Sequence, residues 1–121
     1  MVPFILHSGN GISMTPFYRE GRPVLVLRKP FLIRPVMIGD VILAGRSWAY
    51  TPLEHRVVGI GYEDGEQVYI TQGDNNGIAD EGARREQDII GRVVGSQLTR
   101  WGWMVNYLVA LATESGSQGV N

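Results

Sequence analysis

Only a few side chains in this sequence can attack a carbonyl or exchange a proton near neutral pH. Ser13 lies in "NGISMTPFY" (10–18), ahead of Met14 and Pro16, in a stretch that opens on an Asn-Gly turn signal. A serine hydroxyl attacks only when a base takes its proton. Three groups qualify as that base: Lys29, His7 and His55. Lys29 is the sole lysine beside ten arginines and sits between Arg28 and Pro30. Adjacent positive charge lowers a lysine pKa, but nothing around Lys29 suggests burial. His7 stands six residues before Ser13 and is expected to end the first strand. His55 opens the most strand-like run of the chain, where rigid structure would hold an imidazole in place.

Taken singly, each of these residues has an ordinary explanation. A serine after Asn-Gly is commonly a turn residue, and "GDNN" is a turn because Gly, Asp and Asn tolerate left-handed backbone. A histidine at a strand start is commonly structural. Their order is more informative. "ISMTP" (12–16), "IGDVILA" (38–44), "EHRVVGI" (54–60) and "TQGDNNGIAD" (71–80) together resemble the type I signal peptidase family, over residues 11–95. The resemblance implies a mainly β, coiled and barrel-like catalytic core in which the serine before methionine is the acyl-transfer nucleophile. Bacterial members place a lysine before the "RV" of the third block. The endoplasmic-reticulum, archaeal and spore-former branch has a histidine there. This sequence reads His55-Arg56-Val57, and the step from Asp74 to Asp80 matches the paired aspartates of the histidine branch.

On this reading His55 accepts the Ser13 proton and later returns it to the leaving amine. A carboxylate that fixes the tautomer and stabilises the imidazolium completes the arrangement. Asp80 is the first choice for that carboxylate. Asp74 is the second, in a supporting role or holding its loop together; Asp40 is expected to be structural. The resemblance implies a serine endopeptidase that cleaves a precursor or leader peptide after small residues. The peptide would bind as an extended strand, walled by strands around 12–18 and 36–44, and no metal or cofactor would be needed.

The sequence departs from the family pattern in three places. Gly11 replaces a serine that helps bind the oxyanion, which leaves the Ser13 N–H and Ser8 as candidate donors. Loss of one such donor typically costs about 3 kcal/mol of transition-state stabilisation. Gly21-Arg22 stands where a Gly-Asp step is usual, and Gln72 where a lysine is usual; both read as framework changes. Two alternatives follow. One is a catalytically weak or inert peptide-binding β domain, favoured by Gly11. The other is a self-cleaving repressor-type peptidase, which would want a lysine base and a DNA-binding helix pair; neither is evident.

The elements that must position these residues are short. A chain of 121 residues forms one domain with a single core. Its 44% apolar and 19% charged content excludes a disordered chain. A net charge of −1 gives no basic face for nucleic acid. With no cysteines, disulfides and thiolate sites are excluded, and two histidines are too few for structural zinc. No apolar run reaches the ~18 residues that cross a bilayer, and "MVPFIL" is too short for a secretory signal. The expected location is therefore cytoplasmic or membrane-peripheral, as a trimmed, surface-bound or soluble relative of anchored peptidases.

Short strands are expected in 23–36, broken by Pro30 and Pro35, and in 39–45. Residues 55–74 should form a hairpin turning at Asp64-Gly65, and 88–98 a final strand. Between them, 73–88 reads as a solvated loop with at most one helical turn. "WGWMVNYLVALA" (101–112) predicts a short C-terminal core helix, with peripheral membrane contact through its tryptophans as the second reading. The tail at 114–121 is expected to fray. Oligomeric state has no signal in the sequence.

Overall fold

The computed structural model describes residues 2–8, 13–17, 21–46 and 49–120. Seven strands occur: β1 (Phe4–His7), β2 (Val24–Arg28), β3 (Val41–Arg46), β4 (Ala49–Glu63), β5 (Glu66–Gln72), β6 (Arg84–Arg85) and β7 (Ile89–Val93). One helix, α1 (Gly102–Val120), closes the chain. The strands form one antiparallel sheet in the order β1-β2-β7-β3-β4-β5-β6. The expectation of a mainly β protein with one C-terminal helix therefore holds.

The centre of the sheet is buried on both faces, which is why β3 reads as a continuous apolar run rather than an alternating one. Val41 and Leu43 join Met14, Phe17, Val24, Val26 and Val93 in one cluster. Ile42 and Ala44 join Val36, Val57, Tyr69 and Ile89 in a second. Full burial of one such aliphatic side chain is worth roughly 1.5–3 kcal/mol, so these two clusters hold β3 between the flanking strands. Tyr69 donates its hydroxyl to Glu86 (2.6 Å). Burial and then that carboxylate push its phenol up to about 12.

The β4–β5 hairpin turns where expected. Asp64 and Gly65 both have positive φ, 52° and 79°, as the two central residues of a type I′ turn require. Other boundaries differ. His55 does not begin its strand: β4 starts at Ala49 and places His55 mid-strand, opposite Ile42. The strand runs through Pro52 because the β3–β4 register shifts between Ala44 and Arg46, where a residue without N–H breaks no regular pairing. The last strand ends at Val93, and after the left-handed Gly95 the chain continues as a short 3-10 turn over Ser96–Trp101. Residues 13–17 are a turn closed by the Phe17 N–H on the Met14 carbonyl (2.7 Å), with a cis Thr15–Pro16 bond. In the 36–44 segment only Val41 onward is strand.

The helix is longer than its apolar segment. It continues to Val120 through residues expected to fray, and no proline follows Pro52 to interrupt it. No helix among the described residues is long and apolar enough to cross a membrane. One side of α1 packs inward, Gly102 against Gly95 and Phe17 and Asn106 against the sheet, while Met104, Tyr107, Leu108 and Leu111 face solvent. A membrane-surface role for this segment would depend on that exposed stripe.

Asn106 joins helix to sheet. Its amide oxygen accepts the Leu25 N–H (2.9 Å), and its amide nitrogen donates to the carbonyls of Leu25 (3.0 Å) and Val94 (2.8 Å). A buried side-chain amide thus satisfies backbone groups on β2 and just beyond β7. Asn106→Ala leaves these groups without their partner and should cost about 3 kcal/mol in urea unfolding. A loss below about 0.5 kcal/mol would contradict this anchoring role.

Candidate active site

His55 projects from the middle of β4, the longest strand, and is 5% exposed. Its Nε2 lies 2.9 Å from the Ser13 Oγ, and its Nδ1 lies 2.6 Å from the Asp80 Oδ2. A carboxylate only accepts, so Nδ1 carries a proton, and in that neutral tautomer Nε2 has its lone pair directed at the serine hydroxyl. Thr71, at the end of β5, donates its hydroxyl to the same Asp80 Oδ2 (2.7 Å). The Asp80 N–H donates to the Thr71 carbonyl (2.7 Å). The carboxylate is therefore fixed to the sheet through both backbone and side chain.

Asp74 does not touch the ring. Both its oxygens accept from Arg56, from Nε and Nη2 at 2.7 Å each. Arg56 Nη1 donates to the carbonyls of Gly39 and Ser96, also 2.7 Å each, and its guanidinium stands 5.3 Å from the Phe17 ring centroid. The reason is alternation along β4. Consecutive residues point to opposite faces, so His55 and Arg56 address different partners, and Asp74 lies on the arginine's side. Arg56 and Thr71 are the residues that sequence reasoning left without a role. The bidentate geometry that couples Asp74 to an arginine eighteen positions earlier has no local sequence signature.

Ser13 is held by the loop that follows β5. The Asn75 N–H donates to the Ser13 carbonyl (2.7 Å). At Gly73 the approach is so close that a Cβ would stand 2.7 Å from the Ser13 carbonyl oxygen and 2.9 Å from the Ser13 Cβ. Gln72, at the lysine position of the family pattern, donates to the Asn76 carbonyl (2.6 Å) and braces the same loop. Arg22, at the other departure, packs its guanidinium over Trp103 and Tyr107. Gly11 lies outside the described residues.

The other candidate bases are engaged elsewhere. The His7 Nδ1 contacts the Glu54 carboxylate, and Lys29 meets the Glu86 carbonyl and carboxylate. Asp40 is fully buried and structural. It accepts a fork from Arg34 (2.8 and 2.9 Å), the Met37 N–H (2.8 Å) and the Gln97 amide (3.0 Å). Burial pushes its carboxyl up, but these donors and the Arg34 charge outweigh it and hold the group below its ordinary value.

The chain is similar in sequence to known proteins. The signal peptidase complex catalytic subunit SEC11 of Yarrowia lipolytica is 32% identical over 91 residues, 69% of this chain and 51% of its own length. Human SEC11C is 29% identical over 69% of the chain and 46% of its own length. A putative human SEC11B is 27% identical over 77% and 58%. This chain is a relative of the type I signal peptidases. It spans about half the length of the SEC11 proteins it matches. No family model matches, and no solved structure gives a significant match.

Two outcomes test the framework. Gly73→Ala should cost about 1–3 kcal/mol by crowding Ser13, whereas Gly77→Ala, with open space around it, should stay within about 0.5 kcal/mol. Equal effects in urea unfolding would contradict the close approach. For Asp40, the depressed folded value means its stabilisation is complete above the ordinary value of 3.8 and is lost as pH falls through the folded value. Stability measured down that acid range should fall less steeply in Asp40→Asn than in the parent; parallel slopes would contradict the depression.

Proposed function

We propose that this protein is a serine endopeptidase of the signal-peptidase type, cleaving a precursor or leader peptide after small residues. The observation that carries the reading is the continuous Ser13–His55–Asp80 hydrogen-bonded chain at 2.9 and 2.6 Å. The SEC11 relatives support the same chemistry class.

Ser13 attacks the scissile carbonyl while its proton passes to His55 Nε2. The imidazolium formed is stabilised by Asp80, whose charge is kept in place by Thr71, and it then protonates the leaving amine. Water repeats the sequence on the acyl-enzyme and releases the new carboxyl terminus. The Ser13 N–H is the candidate oxyanion donor. Asp74 acts on the geometry rather than on the proton, since through Arg56 it fixes the loop whose Asn75 N–H holds the Ser13 carbonyl. The precursor peptide binds in extended form, its backbone hydrogen bonds giving affinity and shallow pockets selecting small side chains.

Fluorophosphonate labelling tests the assignment. The parent should label, Ser13→Ala and His55→Ala should not, and Asp80→Asn should label about 10³–10⁴-fold more slowly. Asp74→Asn should lose stability as well as rate. Equal labelling of the parent and Ser13→Ala removes Ser13 as nucleophile; an Asp80→Asn rate equal to the parent's removes Asp80 from the machinery.

A further inference from the structure

The apolar run at 101–112 has features that packing on the sheet does not require. It follows Arg100, contains no charged residue and closes on Ala110-Leu111-Ala112. The composition then changes abruptly to "TESGSQG", 113–119. A basic residue, an apolar core of about 7–15 residues and two small residues one position apart are the order in which a cleavable secretory signal is built. Here the same order stands at the far end of a folded domain.

The fold leaves this end accessible. Gly102 and Asn106 fasten the first turns of α1. Beyond Asn106 no side chain among the described helix residues hydrogen-bonds to the sheet, and the Thr113 hydroxyl donates to the Val109 carbonyl within the helix (2.9 Å). Leu111 is 43% exposed, Ala112 is exposed and Ala110 is half-buried. Ser115, Gly116, Ser117 and Gly119 follow, all with weaker helix preference than alanine. Helix ends open at far lower free energy than core elements, so residues from Ala110 onward can unwind while Asn106 keeps the rest docked. In extended form Ala110 and Ala112 point to one side and Leu111 to the other. Shallow pockets that select small side chains would thus meet both alanines at once.

We propose that the Ala112–Thr113 bond is a substrate of this protein's own serine; the inference rests on the peptidase reading above. The Ser13 Oγ bonds to the Ala112 carbonyl carbon, and its proton passes through His55 to the Thr113 nitrogen, which leaves as an amine. Water hydrolyses the Ala112 ester, which restores the serine and leaves a carboxylate on Ala112. The shortened chain keeps Gly102 and Asn106, and with them the docked part of α1.

Mass spectrometry of the full chain tests the proposal, with fluorophosphonate labelling run alongside. Incubated parent should accumulate a chain ending at Ala112 and a fragment beginning at Thr113. Isotope-labelled Ser13→Ala should stay intact alone. Its cleavage after parent is added assigns the route between copies, and cleavage confined to the parent assigns the route within one chain; both support the proposal. Ala112→Leu and Ala110→Leu should slow the cut at least tenfold, whereas Leu111→Gln should stay within about twofold, and all three should label like the parent. Ala112 is exposed, so its result stands if Ala110→Leu fails to fold. A parent that labels but keeps the Ala112–Thr113 bond would overturn this inference and leave the peptidase reading standing. Cleavage of Ala112→Leu at the parent's rate, or equal slowing in Leu111→Gln, would also overturn it. A parent that does not label removes both.

Discussion

Four separate stretches of chain converge on one guanidinium. Arg56 takes the Asp74 carboxylate in a fork, donates to the carbonyls of Gly39 and Ser96, and lies over the Phe17 ring. It thereby ties the loop after β5, the entry to β3, the exit from β7 and the turn that carries Ser13. Arginine alone among side chains presents a planar array of donors wide enough to do this while keeping its charge at every relevant pH. The arrangement is largely buried, so removing either ionic partner would strand the other. Such a pair acts more through the geometry it imposes than through net stabilisation.

Geometry is what the neighbouring residues need, because the serine, the imidazole and the carboxylate come from three different elements. His55 is rigid in the middle of β4, but Ser13 and Asp80 lie on turns and loops, which ordinarily keep more freedom than strands. Each is restrained locally: Ser13 through the Asn75 N–H and the close approach of Gly73, Asp80 through the Thr71 backbone and hydroxyl. The first restraint begins on the loop that Arg56 fixes through Asp74, and the second on β5 itself. A site drawn from three elements is thus positioned in part by a cation that stands outside the proton path.

How much of this was legible in the sequence varies with the range of the interaction concerned. The Asp64-Gly65 turn was, because a type I′ hairpin is decided by two adjacent residues. The division of the buried side chains into two clusters was not, because the apolar runs read as one core and only the alternation along β3 assigns them to opposite faces. The start of β4 was hidden by Pro52, whose local preference is overridden by a register shift that only the partner strand reveals. The length of α1 was hidden because its second half lacks an apolar pattern, although nothing in it opposes continuation. Ser13, His55 and Asp80 stand in ordered sequence blocks, but residues far apart in the chain carry no local mark of being neighbours; only the fold brings the three within hydrogen-bond distance. The sequence ranks Asp80 ahead of Asp74 for the imidazole, but no local feature of either residue gives the physical reason. Their difference lies in which face of β4 each meets, and the loop conformation decides that.

The pairing of Asp40, Asp74 and Asp80 carries a chemical argument of its own. Asp40 pairs with Arg34, Asp74 with Arg56 and Asp80 with His55. Two of these partners are permanent cations, so the first two ion pairs exist at all pH values at which the chain is folded and the carboxylates are ionised. The third partner is an imidazole, which becomes a cation only when it takes up a proton. Asp80 therefore contributes little Coulomb energy while the ring is neutral and much more once the ring accepts a proton. An interaction that strengthens only as the proton moves lowers a barrier without deepening the ground state. Exchanging the roles of Asp74 and Asp80 would preserve the number of ion pairs and lose that property. The side of β4 on which each aspartate lies thus matters more to the chemistry than the presence of either.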